Sequence, residues 1–147
     1  MQIEYMQLQV LLSMEKAINK VTPIKKELEA WEAEFDRLEP HIISALKYQD
    51  RYNLSDIKEK IRQGLFHIWS GKDAFYVSSF GEFPKYRVLN LFLCGGDYNE
   101  LEKMLKSIET FAKQYDCKYL YGGGRKGWIR KLQHLGFEQE YTVKKEL

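Results

Sequence analysis

Tyr86-Arg-Val-Leu-Asn-Leu-Phe-Leu-Cys94-Gly-Gly-Asp97 is nearly continuous apolar sequence, broken only by Arg87 and Asn90 and then stopped by two glycines. Such a run reads as a strand buried on both faces. Asp97 with Glu100 three residues later makes a capping-box-like helix start. Leu101, Met104, Leu105, Ile108, Phe111 and Ala112 then recur at the spacing of one helical face, giving the longest helix over 97–114. Tyr119, Leu120 and Tyr121 supply strand bulk beyond it. A strand, a long helix and another strand form a crossover, which implies a parallel pair at mid-sheet.

Downstream, Gly122, Gly123 and Gly124 break the second strand. Trp128, Ile129, Leu132 and Leu135 give the next segment one apolar face, so a short helix follows, and Gly136 stands where a helix C-cap favours positive φ. Residues 137–145 read as a final strand. Gly122, Gly124 and Gly127 match a dinucleotide-binding spacing, but only twenty residues follow Gly127, too few for the rest of such a unit. Trp128 after Gly127 also excludes a P-loop.

Upstream, 65–69 and 74–80 read as a hairpin closed by the turn 70–73, and 81–85 turns the chain again. Before the hairpin the period is helical. Residues 1–21 form one stripe, and Thr22-Pro23 is an N-cap followed by proline. Ile24, Leu28, Trp31, Phe35 and Leu38 make a heptad-like stripe that serves either the domain's own core or a partner chain. Pro40 opens another helix with Ile42, Ile43, Ala45 and Leu46 inside it. His41 reads as a surface or half-buried residue without a second ligand, since position 45 is Ala. Ser55 caps a further helix that ends at Gly64.

The chain has 147 residues, enough for one domain, and a net charge of +2 from 23 basic and 21 acidic residues. That balance argues against non-specific wrapping of nucleic acid. Cys94 and Cys117 match no metal spacing, so no metal site is expected. The first twenty residues lack the apolar core of a signal peptide, and no run approaches the ~20 apolar residues of a membrane span. Free thiols and no signal peptide fit an intracellular protein.

The order of elements is the layout of the acyl-CoA N-acyltransferase fold, the GNAT superfamily. The fold class expected is α+β, a mixed central sheet flanked by helices. An N-terminal helical extension over 1–30 precedes a GNAT-like domain over 31–147. The segments Leu93-Cys-Gly-Gly-Asp97, Gly124-Arg-Lys-Gly-Trp128 and Gly136-Phe137 resemble small GNAT-like proteins of tailed bacteriophages, some of them internal virion proteins. The resemblance implies a location in the host cytoplasm or the virion and other phage or virion proteins as partners. It also implies acetyl-CoA as cofactor, held near Cys94, Gly95, Gly96, Arg125 and Lys126.

Two departures from the superfamily's pattern argue against catalysis. The phosphate-cradling loop before the long helix shrinks to Gly95-Gly96-Asp97, and an Asp97 cap would occupy the N–H groups that an anion needs. The position of the family's general-acid Tyr, four before the Gly of Gly-Phe, is Leu132. His67 on the first strand and Glu82 in the following turn are the candidate bases that remain; Cys94 reads as a small buried hydrophobe rather than a nucleophile. Three functions follow: a virion-associated or partner-binding GNAT-like protein, an acetyl-CoA-dependent N-acyltransferase, or a nucleic-acid contact through Arg125, Lys126, Arg130 and Lys131.

Overall fold

The computed structural model describes residues 25–124 and 126–147. Helices α1 (Lys25–Leu46) and α2 (Leu54–Arg62) precede strands β1 (His67–Ser70), β2 (Ala74–Glu82) and β3 (Arg87–Gly96). Helix α3 (Tyr98–Gln114), strand β4 (Cys117–Gly122) and helix α4 (Lys126–Gln133) follow. The sheet runs β1-β2-β3-β4, with the first two pairs antiparallel and β3·β4 parallel. The expected mixed sheet with its crossover helix is therefore present, and β3 is bonded on both sides.

Alternation alone would put Leu89, Leu91 and Leu93 on one face; a bulge after Leu91 turns Leu93 to the other, so β3 buries apolar side chains on both faces. Leu89 and Leu91 join Tyr76 of β2 and Leu101, Leu105, Ile108 and Phe111 of α3 in one core. Leu93 joins Phe75 and Val77 in a second core, under Trp31, Phe35, Leu38 and Ile42 of α1 and Ile57 and Ile61 of α2. The described part of the heptad-like stripe thus packs on its own domain. The register slips between Val77, opposite Leu93, and Ser78, opposite Leu91. Phe92 is the extra residue of this bulge, so β3 bends just before its end.

Four expectations are corrected. Pro40 does not open a helix but lies inside α1. Phe35, Leu38 and Ile42 continue one buried face through it, and Pro40 itself is on the exposed side. The cap of α2 is Asn53 rather than Ser55: its side chain accepts from Asp56 N–H at 2.9 Å, and the Asp56 carboxylate accepts from Asn53 N–H at 3.0 Å. Asp97 caps α3 as expected, accepting from Glu100 N–H at 3.0 Å. Glu100 does not reciprocate, because its carboxylate takes the backbone N–H groups of Lys72 and Asp73 in the β1–β2 turn. Residues 137–147 form no strand; Tyr141 and Val143 are exposed, so no apolar face is buried to hold one. The helix expected over 1–21 and the Thr22-Pro23 start lie outside the described residues, as does Arg125.

Candidate functional site: a split between two parallel strands

β3 and β4 stay paired from Arg87↔Cys117 to Leu91↔Gly122. β3 then continues to Gly96, while β4 ends and the chain turns away through residues 123 and 124. The Phe92 bulge and the glycine turn flank the place where pairing stops, and among the described residues no strand pairs with β3 on the β4 side beyond Leu91. A cavity of 1320 Å³ fills the gap. Residues 90–96 form one wall and residues 121–124 the other. At one end it is lined by Tyr98, Leu101, Trp128 and Lys131; at the other, by His41, Ala45, Tyr48, Arg51, Tyr52 and Phe66.

The glycines around the gap answer to the fold. At Gly96 φ is +103°, and a Cβ would stand 2.1 Å from the Asp73 carbonyl oxygen. A Cβ at Gly95 would press on Phe75 at 3.1 Å and the His41 carbonyl at 3.3 Å, because α1 crosses there. Gly124, at φ +156°, would bring a Cβ within 2.6 Å of the Trp128 ring. Gly123 meets nothing within 4 Å.

The link from β3 to α3 is the single residue Asp97. Its N–H donates to the Asp73 carbonyl at 2.9 Å and its carboxylate takes the Glu100 N–H. Of the four N–H groups that a helix start leaves over, those of Tyr98 and Asn99 have no acceptor among the described residues. Lys131 reaches the same end from α4, its Nζ 4.0 Å from the centre of the Tyr98 ring, and Trp128 meets that ring edge-on at 5.6 Å.

Two phenols line the cavity at chemically distinct places. Partial desolvation, then the Glu102 carboxylate, raises Tyr98 above the ordinary tyrosine value. Tyr121 is raised by its hydrogen bond with Tyr86, then by desolvation and by Glu140, whose carboxylate it approaches at 3.5 Å. Both phenols therefore keep their protons at neutral pH. Tyr121, opposite Asn90, stands one pair before the strands part. Leu132 is buried in the α3-side core and offers no acid.

Of the residues singled out by sequence, Cys94, Gly95, Gly96 and Lys131 line the cavity. His67 and Glu82 do not. His67 is 2 % exposed beside Phe80, its Nδ1 has no hydrogen-bond partner among the described residues, and burial lowers its pKa to about 4. Glu82 is the last residue of β2 rather than part of the turn, beside the start of β3 and far from the split, paired with Arg87 at 2.5 Å. Lys126 and Arg130 are exposed outside the cavity lining. The contributions of Tyr121, Arg51, Tyr52 and Phe92 were missed by sequence. The run of glycines after Tyr121 was the one signal that could have marked it.

No described helix is long and apolar enough to cross a membrane. No protein-family model and no curated protein matches the chain. Solved structures do match. A probable acetyltransferase superposes with a TM-score of 0.61 at 11% identity, over 78% of this chain and 91% of that one. The aminoglycoside acetyltransferase meta-AAC0020 from an uncultured soil metagenomic sample, in complex with trehalose, gives 0.56 at 12% identity, over 78% and 89%. Aminoglycoside N-acetyltransferase AAC(6')-Iy in complex with CoA gives 0.52 at 16% identity, over 84% and 89%. At such identities the likeness is one of fold, and it agrees with the mixed sheet and crossover helix described above. The chain carries the GNAT acetyltransferase fold.

Proposed function

We propose that the protein is an acyl-CoA-dependent N-acyltransferase that takes the pantetheine arm of its donor into the split between β3 and β4. The observation that carries this reading is the parting of the strands after Leu91 and Gly122, with a cavity of 1320 Å³ between them. A strand edge that runs on past its neighbour offers main-chain N–H and C=O groups to an extended, amide-bearing ligand. The CoA complex of one structural neighbour supports the same reading. When bound, acyl-CoA supplies the activated acyl group.

The phosphate end is a poorer fit. Among the described residues, the N–H groups of Tyr98 and Asn99, together with Lys131, face an anion there, and the Asp97 carboxylate stands beside them. The chain should therefore hold acyl-CoA weakly. Tyr121 lines the cavity one pair before the strands part, but its Oη is engaged by Tyr86 and the Glu140 carboxylate, so it does not stand in for the acid absent at Leu132.

The test is calorimetric titration with acetyl-CoA of the wild type and of Gly123→Trp. A Cβ at position 123 meets open space, so the variant should melt with the wild type while obstructing the cavity. Saturable heat that falls at least tenfold in affinity in the variant is the expected result. Equal affinities would place the donor elsewhere, and no heat with the wild type at millimolar acetyl-CoA would remove the reading.

A second reading, partner binding as in the phage virion proteins that the sequence resembles, has one observation in its favour. β4 is an edge strand with Tyr119 exposed, and the apolar tail residues Tyr141, Val143 and Leu147 are exposed as well. Such an edge can pair with another chain. Light scattering of the wild type beside Tyr119→Lys tests it: a monomer in both would leave it without support.

A further inference from the structure

Resting on the acyl-CoA reading above, we infer that the α1–α2 end of the cavity is the acceptor site, and that the acceptor is a small aromatic amine carrying an anionic group. The cavity has walls from both sides of the sheet, because it passes through the split. The α3–α4 end holds the helix start and Lys131, the groups that would meet a donor's phosphates. The other end is built differently.

Three rings shape it. Tyr52 meets Phe66 edge-on at 5.6 Å and Phe92 at 5.9 Å, and Phe66 lies 4.5 Å from Phe92. Phe92 is the bulge residue, so the same irregularity that opens the split turns an aromatic side chain into this end. Flat apolar bodies pack against such rings at centroid distances of this order.

The loop bearing Arg51 and Tyr52 is set in advance by Gln49. Its side-chain oxygen accepts from Arg51 N–H at 2.9 Å and Tyr52 N–H at 2.7 Å. Its amide nitrogen donates to the Leu46 carbonyl at 2.9 Å and the Tyr52 carbonyl at 2.7 Å. A loop held by four such bonds presents its side chains with little ordering left to do on binding.

Charge then selects the acceptor. No Asp or Glu is among the described residues lining the cavity, whereas Arg51 and Lys131 are. The Arg51 guanidinium makes no ion pair with a described residue. A polycationic amine would meet these cations with no carboxylate in the described cavity lining to offset them, whereas a carboxylate on the acceptor satisfies Arg51 in the fork geometry that guanidinium favours. Two of the structural neighbours are aminoglycoside acetyltransferases; the cavity described here is unsuited to ligands of that charge.

The test measures acceptor binding by calorimetry without acetyl-CoA, so that its outcome is independent of donor binding. The probes are L-phenylalanine, phenethylamine (the same body without the carboxylate) and spermine, against the wild type and Arg51→Gln. Product formation with acetyl-CoA, read by mass, is the second readout. The expected order is L-phenylalanine, then phenethylamine, then spermine. Arg51→Gln should cut L-phenylalanine affinity about tenfold and leave phenethylamine and the melting temperature unchanged. Spermine binding or reacting best, equal loss for both aromatic probes in Arg51→Gln, or no binding of any probe at about 10 mM, a concentration tenfold above a millimolar dissociation constant, would each overturn the inference. Loss of acetyl-CoA binding alone would fault the donor reading instead.

Discussion

Asp97→Asn separates what the residue does for the fold from what it does to an anion. Asn is as good an N-cap as Asp, because its side-chain oxygen can still accept the Glu100 N–H that Asp97 holds at 3.0 Å. Stability should therefore change by less than about 0.5 kcal/mol. The charge is what disappears. A unit charge acting on another at ~6 Å contributes roughly 0.7 kcal/mol in bulk water and roughly 3 kcal/mol at an effective dielectric of 20. Asp97 is exposed, so the low end applies, and about 1 kcal/mol corresponds to roughly fivefold tighter acetyl-CoA binding. Asp97→Ala should gain the same affinity but lose the cap, at a cost of about 1 kcal/mol and about 3 °C in Tm. Calorimetry and thermal unfolding on the three proteins give both numbers. If acetyl-CoA binds the wild type and Asp97→Asn equally well, the carboxylate does not face the donor's phosphates and the reasoning fails.

Two further predictions concern the frame of the site. Gly96→Ala should cost more than about 3 kcal/mol in denaturant unfolding, since φ is +103° and the added carbon would meet the Asp73 and Ala74 backbone at 2.1 and 2.6 Å; a loss below about 1 kcal/mol would contradict this. His67 is buried and neutral, with a pKa of about 4 against 6.5 in the unfolded chain. Below pH 6.5 the unfolded state takes up a proton that the folded state refuses, so stability falls from pH 6.5 towards pH 4, by about 3 kcal/mol at most. His67→Phe should remove that part of the acid slope, and an identical pH profile in both proteins would show that His67 is accessible to protons.

How far the fold could be read from sequence depended on how local each signal was. The two-faced apolar run of β3, the α3 stripe and the Asp97 cap are each written in adjacent residues, and each reappears in the structure. The glycines that follow Cys94 and Tyr121 read as strand stops, and in the structure they line the split. Asn53 and Ser55 are both good caps, and which side chain reaches the Asp56 N–H is decided by backbone direction. Pro40 is a strong helix breaker by itself, but the burial of Phe35, Leu38 and Ile42 outweighs it. The tail over 137–147 has strand-like residues, yet strand bulk without a partner makes no strand.

The site was less legible. His67 and Glu82 were candidates by residue type, and burial of the first and the Arg87 pairing of the second remove them from the cavity. Arg51, Phe66 and Phe92 lie on a loop, before a strand and in a bulge. Nothing in their spacing announces that one slipped register brings them to the same cavity.

The most direct test of donor binding in the split is an amide NMR titration of the wild type with acetyl-CoA. The expected shifts are saturable and concentrate on residues 92–96 and 122–124, the two walls that part after Leu91 and Gly122. Saturable shifts confined to the tail over 137–147 or to the exposed face of α4, with both walls unmoved, would contradict it.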